Sequence, residues 1–411
     1  MKSFFEKFFS LPKLDRQTFL LSRFHARFVK IQLTALLYCM IVGTPWSFAL
    51  EEIPRPSPLE TPFKILVLPE KGAYLGAYVD FGDGEDGVTL EGIENFEKLV
   101  QKHQAIIAFG SFWARGAFPR EKVDLLHSYG AVPLLYWSPW EEPFDQERGP
   151  DKFSLEKILD GTWDHYIDSW ADGAKAVGEQ FFVSFACEMN GTWFPWSGYF
   201  YRQKIKGEKS INIQGVEHLF YDKKLEKNFL VGAETYKKAY RYVVDRVRAR
   251  GANNVLWVFQ VNNYSYPNNR WNLAAAYYPG PQYVDWLAMS LFGKQYAKEN
   301  WDDFAPLLAW PYRELCALDP NKPIMIAEWG TAEPHGQGDK GTWYADGCRM
   351  MISQEYPRIK AAILWHERWE NTDGSYSNLR VNSSRGALKA YREGIASPLW
   401  IDYPRWQSNS R

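Results

Sequence analysis

Short apolar runs and longer amphipathic segments alternate along this chain from Tyr74 onwards. The runs are Tyr74–Phe81, Ala105–Trp113, Ala131–Trp137, Phe181–Cys187, Val255–Gln260, Val284–Leu291, Pro323–Glu328 and Ala361–His366. Their apolar residues are continuous rather than alternating, which is the pattern of strands buried on both faces of a parallel sheet. The segments Gly92–Lys102, Trp163–Val177, Thr235–Arg250 and Gly341–Glu355 carry helical spacing instead. In Thr235–Arg250, for example, Tyr236, Tyr240, Val243, Val244 and Val247 share one face, and Gly251 follows as a stop signal. Eight strand units in about 350 residues predict an α/β fold, a (β/α)8 TIM barrel with inserted loops. A doubly wound open sheet is the alternative, but no Gly-rich phosphate loop follows the first strand.

The chain before this alternation is built differently. From Met1 to Lys30 there are seven basic residues and two acidic ones, followed by an apolar run, Ile31–Val42, and by the small residues Ser47 and Ala49. That order is the one found in a secretory signal. An uncleaved anchor is the alternative, although the apolar run falls short of the ~20 residues that span a bilayer. Residues 1–49 are therefore expected to be a signal peptide or membrane anchor. Residues 50–65, with Pro54, Pro56, Pro58 and Pro62, form a Pro-rich linker, and 66–411 form the barrel domain. The expected location is secreted or periplasmic, with a membrane-anchored external domain as the alternative.

Composition narrows the function classes. Of the 411 residues, 48 are Lys or Arg and 49 Asp or Glu, so no basic surplus suggests a nucleic-acid partner. Hydrophobic residues make up 46%, which excludes a disordered chain. Four Cys exclude a disulfide-built scaffold. Cys316 and Cys348 read most simply as buried thiols, with a disulfide between them left open. The 19 Trp, 24 Tyr and 26 Phe are more than packing demands and suit a cleft for sugars.

In a TIM barrel the reactive groups lie at the C-terminal ends of the strands. Glu188 follows the fourth run, ahead of Asn190, Trp193 and Trp196; Glu328 ends the seventh, ahead of Trp329; Trp365 ends the eighth. Two carboxyl groups ending two barrel strands project into one mouth. That is the minimal equipment for glycosidic cleavage, one acid to protonate the leaving oxygen and one carboxylate to attack or to activate water. A single Glu at such a position more often pairs with an Arg or caps a loop; two, each bracketed by Trp, favour catalysis.

The segment Phe185-Ala186-Cys187-Glu188-Met189-Asn190-Gly191-Thr192-Trp193 resembles the acid/base segment of glycoside hydrolase family 26, the β-mannanase family. Ile324 to Gly330 is similar to its nucleophile strand. Tyr277 to Gly280 with Tyr283 to Trp286 resembles the approach to its sixth strand, and Asn382 to Ser384 with Ala387, Leu388 and Tyr391 its closing helix. The resemblance implies a retaining enzyme, with Glu188 as acid/base, Glu328 as nucleophile and their carboxyl groups about 5–5.5 Å apart. It also implies sugar contacts from Trp193 and Trp365. Asn190 and Trp196 are further candidate substrate contacts; for Trp196, as for Trp137, Trp140 and Trp257, core packing is an equal reading. Four positions depart from the family pattern: Cys187 where His is usual, Ser184 where Arg is common, and Ser290 and Phe292 where Asp and Tyr stand.

No cofactor is expected. Glu333 and His335 match no zinc spacing, so no metal is assigned. Glu141 and Glu142 read as a solvated loop, and the Lys-rich stretch from Tyr199 to Gly232 as either a flap or a solvated face. Two function classes remain. One is an exported endo-acting hydrolase of a β-linked polysaccharide (β-mannan, mixed-linkage β-glucan or β-xylan). The other is a non-catalytic polysaccharide-binding barrel with a degenerate site. A monomer is expected, and a membrane partner only if the N-terminal segment is an uncleaved anchor.

Overall fold

The computed structural model describes residues 63–408, apart from 83, 142–148, 203–209, 214–215, 220–225, 297–298, 335 and 372. The signal-like segment, the linker up to Pro62, and Glu142 and His335 therefore lie outside the described residues.

Eight parallel strands form the barrel: β1 (Ala73–Tyr78), β2 (Ile106–Phe112), β3 (Val132–Ser138), β4 (Phe181–Phe185), β5 (Val255–Asn262), β6 (Trp286–Phe292), β7 (Ile324–Gly330) and β8 (Ile359–Trp365). Each neighbours the next in sequence, and β8 returns to β1 with Ala361 opposite Tyr74 and Trp365 opposite Tyr78, which closes the sheet. All eight expected strands are present, and all the residues of β1, β2, β3, β4 and β7 are buried. That explains their uninterrupted apolar runs, since helices cover the outside while side chains fill the inside. The filling is tight at Gly76, where a Cβ would stand 2.6 Å from the side chain of Ile363 and 2.7 Å from the carbonyl of Ile106.

The main covering helices are α1 (Leu90–Val100), α2 (Arg120–Tyr129), α3 (Asp164–Lys175), α4 (Glu226–Ala249), α5 (Phe304–Leu318), α6 (Lys340–Met351) and α7 (Arg385–Ile395). Side-chain caps set several of their starts: Thr89 accepts from Gly92 N, Asp339 from Thr342 N and Ser384 from Ala387 N. In α4, Tyr236, Tyr240, Val243, Val244 and Val247 are fully buried, as their spacing requires. Cys316 and Cys348 are free thiols.

A short strand, Lys64–Leu66, pairs antiparallel with Trp406–Ser408, so folded structure already includes the last residues of the expected linker. Two hairpins extend from the barrel: Ser210–Ile213 with Val216–Leu219 after β4, and Arg368–Glu370 with Tyr376–Asn378 after β8. Among the described residues no helix is long and apolar enough to cross a membrane.

Candidate active site

Local backbone features aim both glutamates into the barrel mouth. Regular pairing of β4 ends at Phe185, and the chain then passes through two left-handed residues, Ala186 (φ 49°) and Glu188 (φ 53°), on either side of Cys187. Such conformations cost about 1–3 kcal/mol each in non-glycine residues and persist where the surroundings enforce them. Here the Glu188 N–H is held by the carbonyl of Gln260 at 2.9 Å, and Trp196 Nε1 donates to the Cys187 carbonyl at 2.6 Å. On β7 the pairing register with both neighbours skips Ala327. This irregularity turns the Ala327 carbonyl towards the Tyr136 hydroxyl, which donates to it at 2.7 Å, and it precedes Glu328 directly.

Ser290 pairs with Glu328 across the sheet, and its hydroxyl acts to lower the pKa of both Glu188 and Glu328. Glu188 also accepts from Trp193 Nε1 at 2.7 Å, and Glu328 from the Gln260 amide at 2.8 Å. That amide donates to Ser290 Oγ at 2.9 Å and accepts from Ser184 Oγ at 2.8 Å. Two of the departures from the family pattern, Ser184 and Ser290, thus belong to one buried network. Burial raises the pKa of both glutamates; the Glu188 charge raises Glu328 further, while Gln260 and Ser290 oppose the rise at Glu328, and Ser290 and Trp193 oppose it at Glu188. Two repelling, buried carboxyl groups titrate as a unit and keep one proton between them over part of the pH range.

Two more acidic groups face this pair, and sequence reading missed both. Glu85 lies beyond β1 at φ 51°, and its pKa is pushed well up by burial and by the charges of Glu367, Glu328 and Glu188. Glu367 lies two residues beyond β8 and accepts from Trp365 Nε1 at 2.7 Å. The position of Glu367 just past a strand end was a usable signal. Glu85 was hidden in the stretch Gly82-Asp83-Gly84-Glu85-Asp86-Gly87, which reads as a solvated turn.

The aromatic candidates divide. Trp193 is half-buried, its indole spent on Glu188 and its ring centroid 5.7 Å from that of Tyr266. Gly191 makes this placement possible, since a Cβ there would meet the Trp193 ring at 2.5 Å. Trp365 stacks on Tyr78 at 4.1 Å, and Phe292 meets it edge-on at 6.3 Å. Trp196 is 1% exposed, stacked on Phe194 and edge-on to Trp140, so it packs the wall and offers no face to a sugar. Asn190 lies inside the wall as well. It is 2% exposed, with its amide bonded to the Asn262 main chain and to Ser265 Oγ. It braces the loop after β5 that carries Tyr266. Among the described residues no group of three or more His, Cys, Asp or Glu is arranged to hold a metal ion.

A family model, glycosyl hydrolase family 26, matches residues 154–326, which include Glu188 and stop just short of Glu328. Over 330 residues the chain is 29% identical to endoglucanase H of Acetivibrio thermocellus, covering 79% of this chain and 31% of that protein. These matches support a member of glycosyl hydrolase family 26. A mannan endo-1,4-beta-mannosidase of Bacillus subtilis is 27% identical over 182 residues, covering 44% of this chain and 38% of the relative. The chain thus spans about a third of the length of the curated relatives it matches. Among solved structures, a family 26 β-mannanase from Bacteroides ovatus superposes with a TM-score of 0.53 at 16% identity, covering 80% of this chain and 90% of that one. The catalytic domain of a family 26 endo-β-1,4-mannanase from Bacillus sp. JAMB-750 gives 0.55 at 19% identity, covering 80% and 87%. These likenesses show the (β/α)8 fold.

Proposed function

We propose that this family 26 domain is an endo-acting, retaining glycoside hydrolase of an exported protein and that it cuts an uncharged β-linked polysaccharide. The observation that carries the reading is the convergence of Glu188 and Glu328, from two separate strands, on one residue, Gln260, whose carbonyl accepts the Glu188 N–H and whose amide donates to Glu328. A retaining enzyme must start with one carboxylic acid and one carboxylate, and a repelling pair that keeps one proton supplies both. Glu188 gives its proton to the glycosidic oxygen while Glu328 attacks the anomeric carbon, forming a glycosyl-enzyme ester and freeing the first sugar chain. Glu188, now ionised, takes a proton from water as the water oxygen attacks the same carbon. The ester bond to Glu328 breaks and the second chain leaves.

Charge limits the substrate class. With Glu85 and Glu367 beside the pair, a uronate unit would bring a further negative charge into a partly desolvated acidic cluster, whereas neutral hydroxyls are good donors to it. The names of the relatives, an endoglucanase and mannan endo-β-1,4-mannosidases, support β-glucan or β-mannan as the polymer. The supports of the pair favour turnover over the binding-only alternative. Ser290 and Gln260 supply donors at Glu328, so the altered pattern around it has not left that carboxyl bare.

The test is release of reducing ends from β-mannan, mixed-linkage β-glucan, β-xylan and a polyuronate by the wild type and by Glu328→Ala. Activity on a neutral polymer, absent with the polyuronate and in the variant, is expected. A wild type that binds a glycan yet releases no reducing ends overturns the hydrolase reading in favour of the binding barrel.

A further inference from the structure

We infer that Gln260 is the positioning residue of the pair, its side chain fixing Glu328 and its main chain fixing Glu188. The inference rests on the reading of these two glutamates as the working pair. Gln260 is 1% exposed, as is Ser184, and Ser290 is fully buried, so water does not compete for the network. The hydrogen bonds also settle which way the amide faces. The amide nitrogen lies 2.8 Å from Glu328 Oε1 and 2.9 Å from Ser290 Oγ, so its two N–H bonds serve the carboxyl and the hydroxyl. The amide oxygen then takes the Ser184 hydroxyl proton. Ser290, having accepted from Gln260, keeps its own proton for a carboxylate. The order Ser184 to Gln260 to Ser290 to carboxylate leaves no polar atom of the Gln260 side chain free for substrate.

The main chain of the same residue does the second task. The Gln260 carbonyl accepts the Glu188 N–H at the point where the chain has left β4 and turned left-handed. One residue of β5 therefore ties the strand before it and the strand two beyond it into a single arrangement. Its amide is uncharged, so it fixes Glu328 without adding the net charge that an Arg or Lys would bring. A preorganised donor aimed at a group whose charge changes during reaction contributes more than it would in water.

The division between side chain and main chain sets the test, because substitution can remove only the bond to Glu328. Full-length Gln260→Met, of similar length and without a donor, is compared with Gln260→Glu, Glu328→Ala and wild type on a soluble β-linked oligosaccharide. The readouts are kcat, KM, the pH profile and the titration of the Glu328 carboxyl by 13C NMR. Gln260→Met should lower kcat by about 10²–10³-fold with KM little changed. Losing a donor to the anion raises the Glu328 pKa, so the pH profile of the coupled pair should move to higher pH. Gln260→Glu should recover activity at low pH, where its protonated carboxyl restores the donor.

A lowered kcat with both limbs unmoved overturns the inference in favour of a packing role, and so does a Gln260→Met enzyme indistinguishable from wild type. If Glu328→Ala keeps activity, the catalytic reading fails instead. The carboxyl titration, which needs no turnover, then decides alone whether Gln260 holds Glu328. Ser184→Ala, which frees the amide without removing it, should shift Glu328 in the same direction by less. It carries the same decision if Gln260→Met does not fold.

Discussion

On the side of the mouth formed by β4 to β7, each glutamate has a donor built for it: Trp193 for Glu188 and Gln260 for Glu328, with the Ser290 hydroxyl lowering the pKa of both. On the side formed by β8 and β1, the charges acting most strongly on Glu85 are those of Glu367, Glu328 and Glu188, and all of them repel it. The first side is arranged to fix carboxyl groups at chosen atoms. The second concentrates acidic groups, with Trp365 Nε1 donating to Glu367, and sugar hydroxyls are further donors suited to it. The molecule therefore gains geometry on one side and gives up stability on the other, a division common at functional sites.

Removing Glu328 tests the fixed side most severely. Glu328→Ala should lower kcat by at least about 10⁴-fold on every substrate, because no other group is placed to form the ester. Glu188→Ala should lose a comparable factor on polysaccharide but much less on aryl glycosides with good leaving groups, since general-acid help of about 10²–10⁴ is then unnecessary. Steady-state rates on both substrate types check this, and equal losses on both would undo the division of roles.

A smaller effect sharpens the part played by Trp193. Trp193→Phe keeps an aromatic face but removes the indole donor to Glu188. That donor opposes the rise in the Glu188 pKa, so its loss should move the alkaline limb of the pH profile to higher pH and lower kcat by roughly tenfold, within the range of one charge-assisted hydrogen bond. An unmoved limb would show that the indole holds Glu188 in place without tuning it.

Much of this could be read from the chain alone, and the reasons are physical. A strand buried on both faces must be apolar throughout, so all eight runs stood out, and a glutamate ending such a run is conspicuous. Four of the expected contacts were Trp193, Trp365, Asn190 and Trp196. Of these, Trp196 and Asn190 turned out to be occupied by the protein itself, because spacing tells where a residue sits but not what already fills its hydrogen bonds. Gln260 was visible as the last residue of the fifth run, yet its value lies in neighbours 68 and 76 positions away in sequence. Glu85 was concealed by a turn-like composition, and only the left-handed backbone there marks it.

The acceptor-rich side should be a source of instability. Burial and like charges raise the Glu85 pKa, so its folded-state value lies above the unfolded one. A carboxyl group of that kind contributes stability fully below its unfolded pKa, near 4, and loses it as pH rises towards the folded value. Glu85→Gln should therefore raise the melting temperature at pH 7, by roughly 2 °C for each kcal/mol of repulsion relieved, and make no difference near pH 4. KM should rise in the same variant. Thermal unfolding at the two pH values checks the sign, and a variant less stable at pH 7 would mean that Glu85 has a favourable partner.

The smallest effect is expected at Cys187, which directly precedes Glu188. Its pKa is driven well up by burial and then by the charges of Glu328, Glu188 and Glu85, so the sulfur stays a neutral thiol through the working range. Alkylation needs an accessible thiolate, so iodoacetamide at pH 8 should leave the buried Cys187 intact, as peptide mass mapping would show. A neutral thiol is also a weak donor, and the position is held by other means: Trp196 fixes its carbonyl, and Ala186 and Glu188 flank it in left-handed conformations. Cys187→Ala should then leave kcat within about twofold and cost about 1 kcal/mol, the typical price of a modest truncation. A tenfold loss of kcat with stability unchanged would place the sulfur among the groups that hold the pair. The fixed side of the mouth would then extend one residue further than Gln260, Ser290 and Trp193 define it.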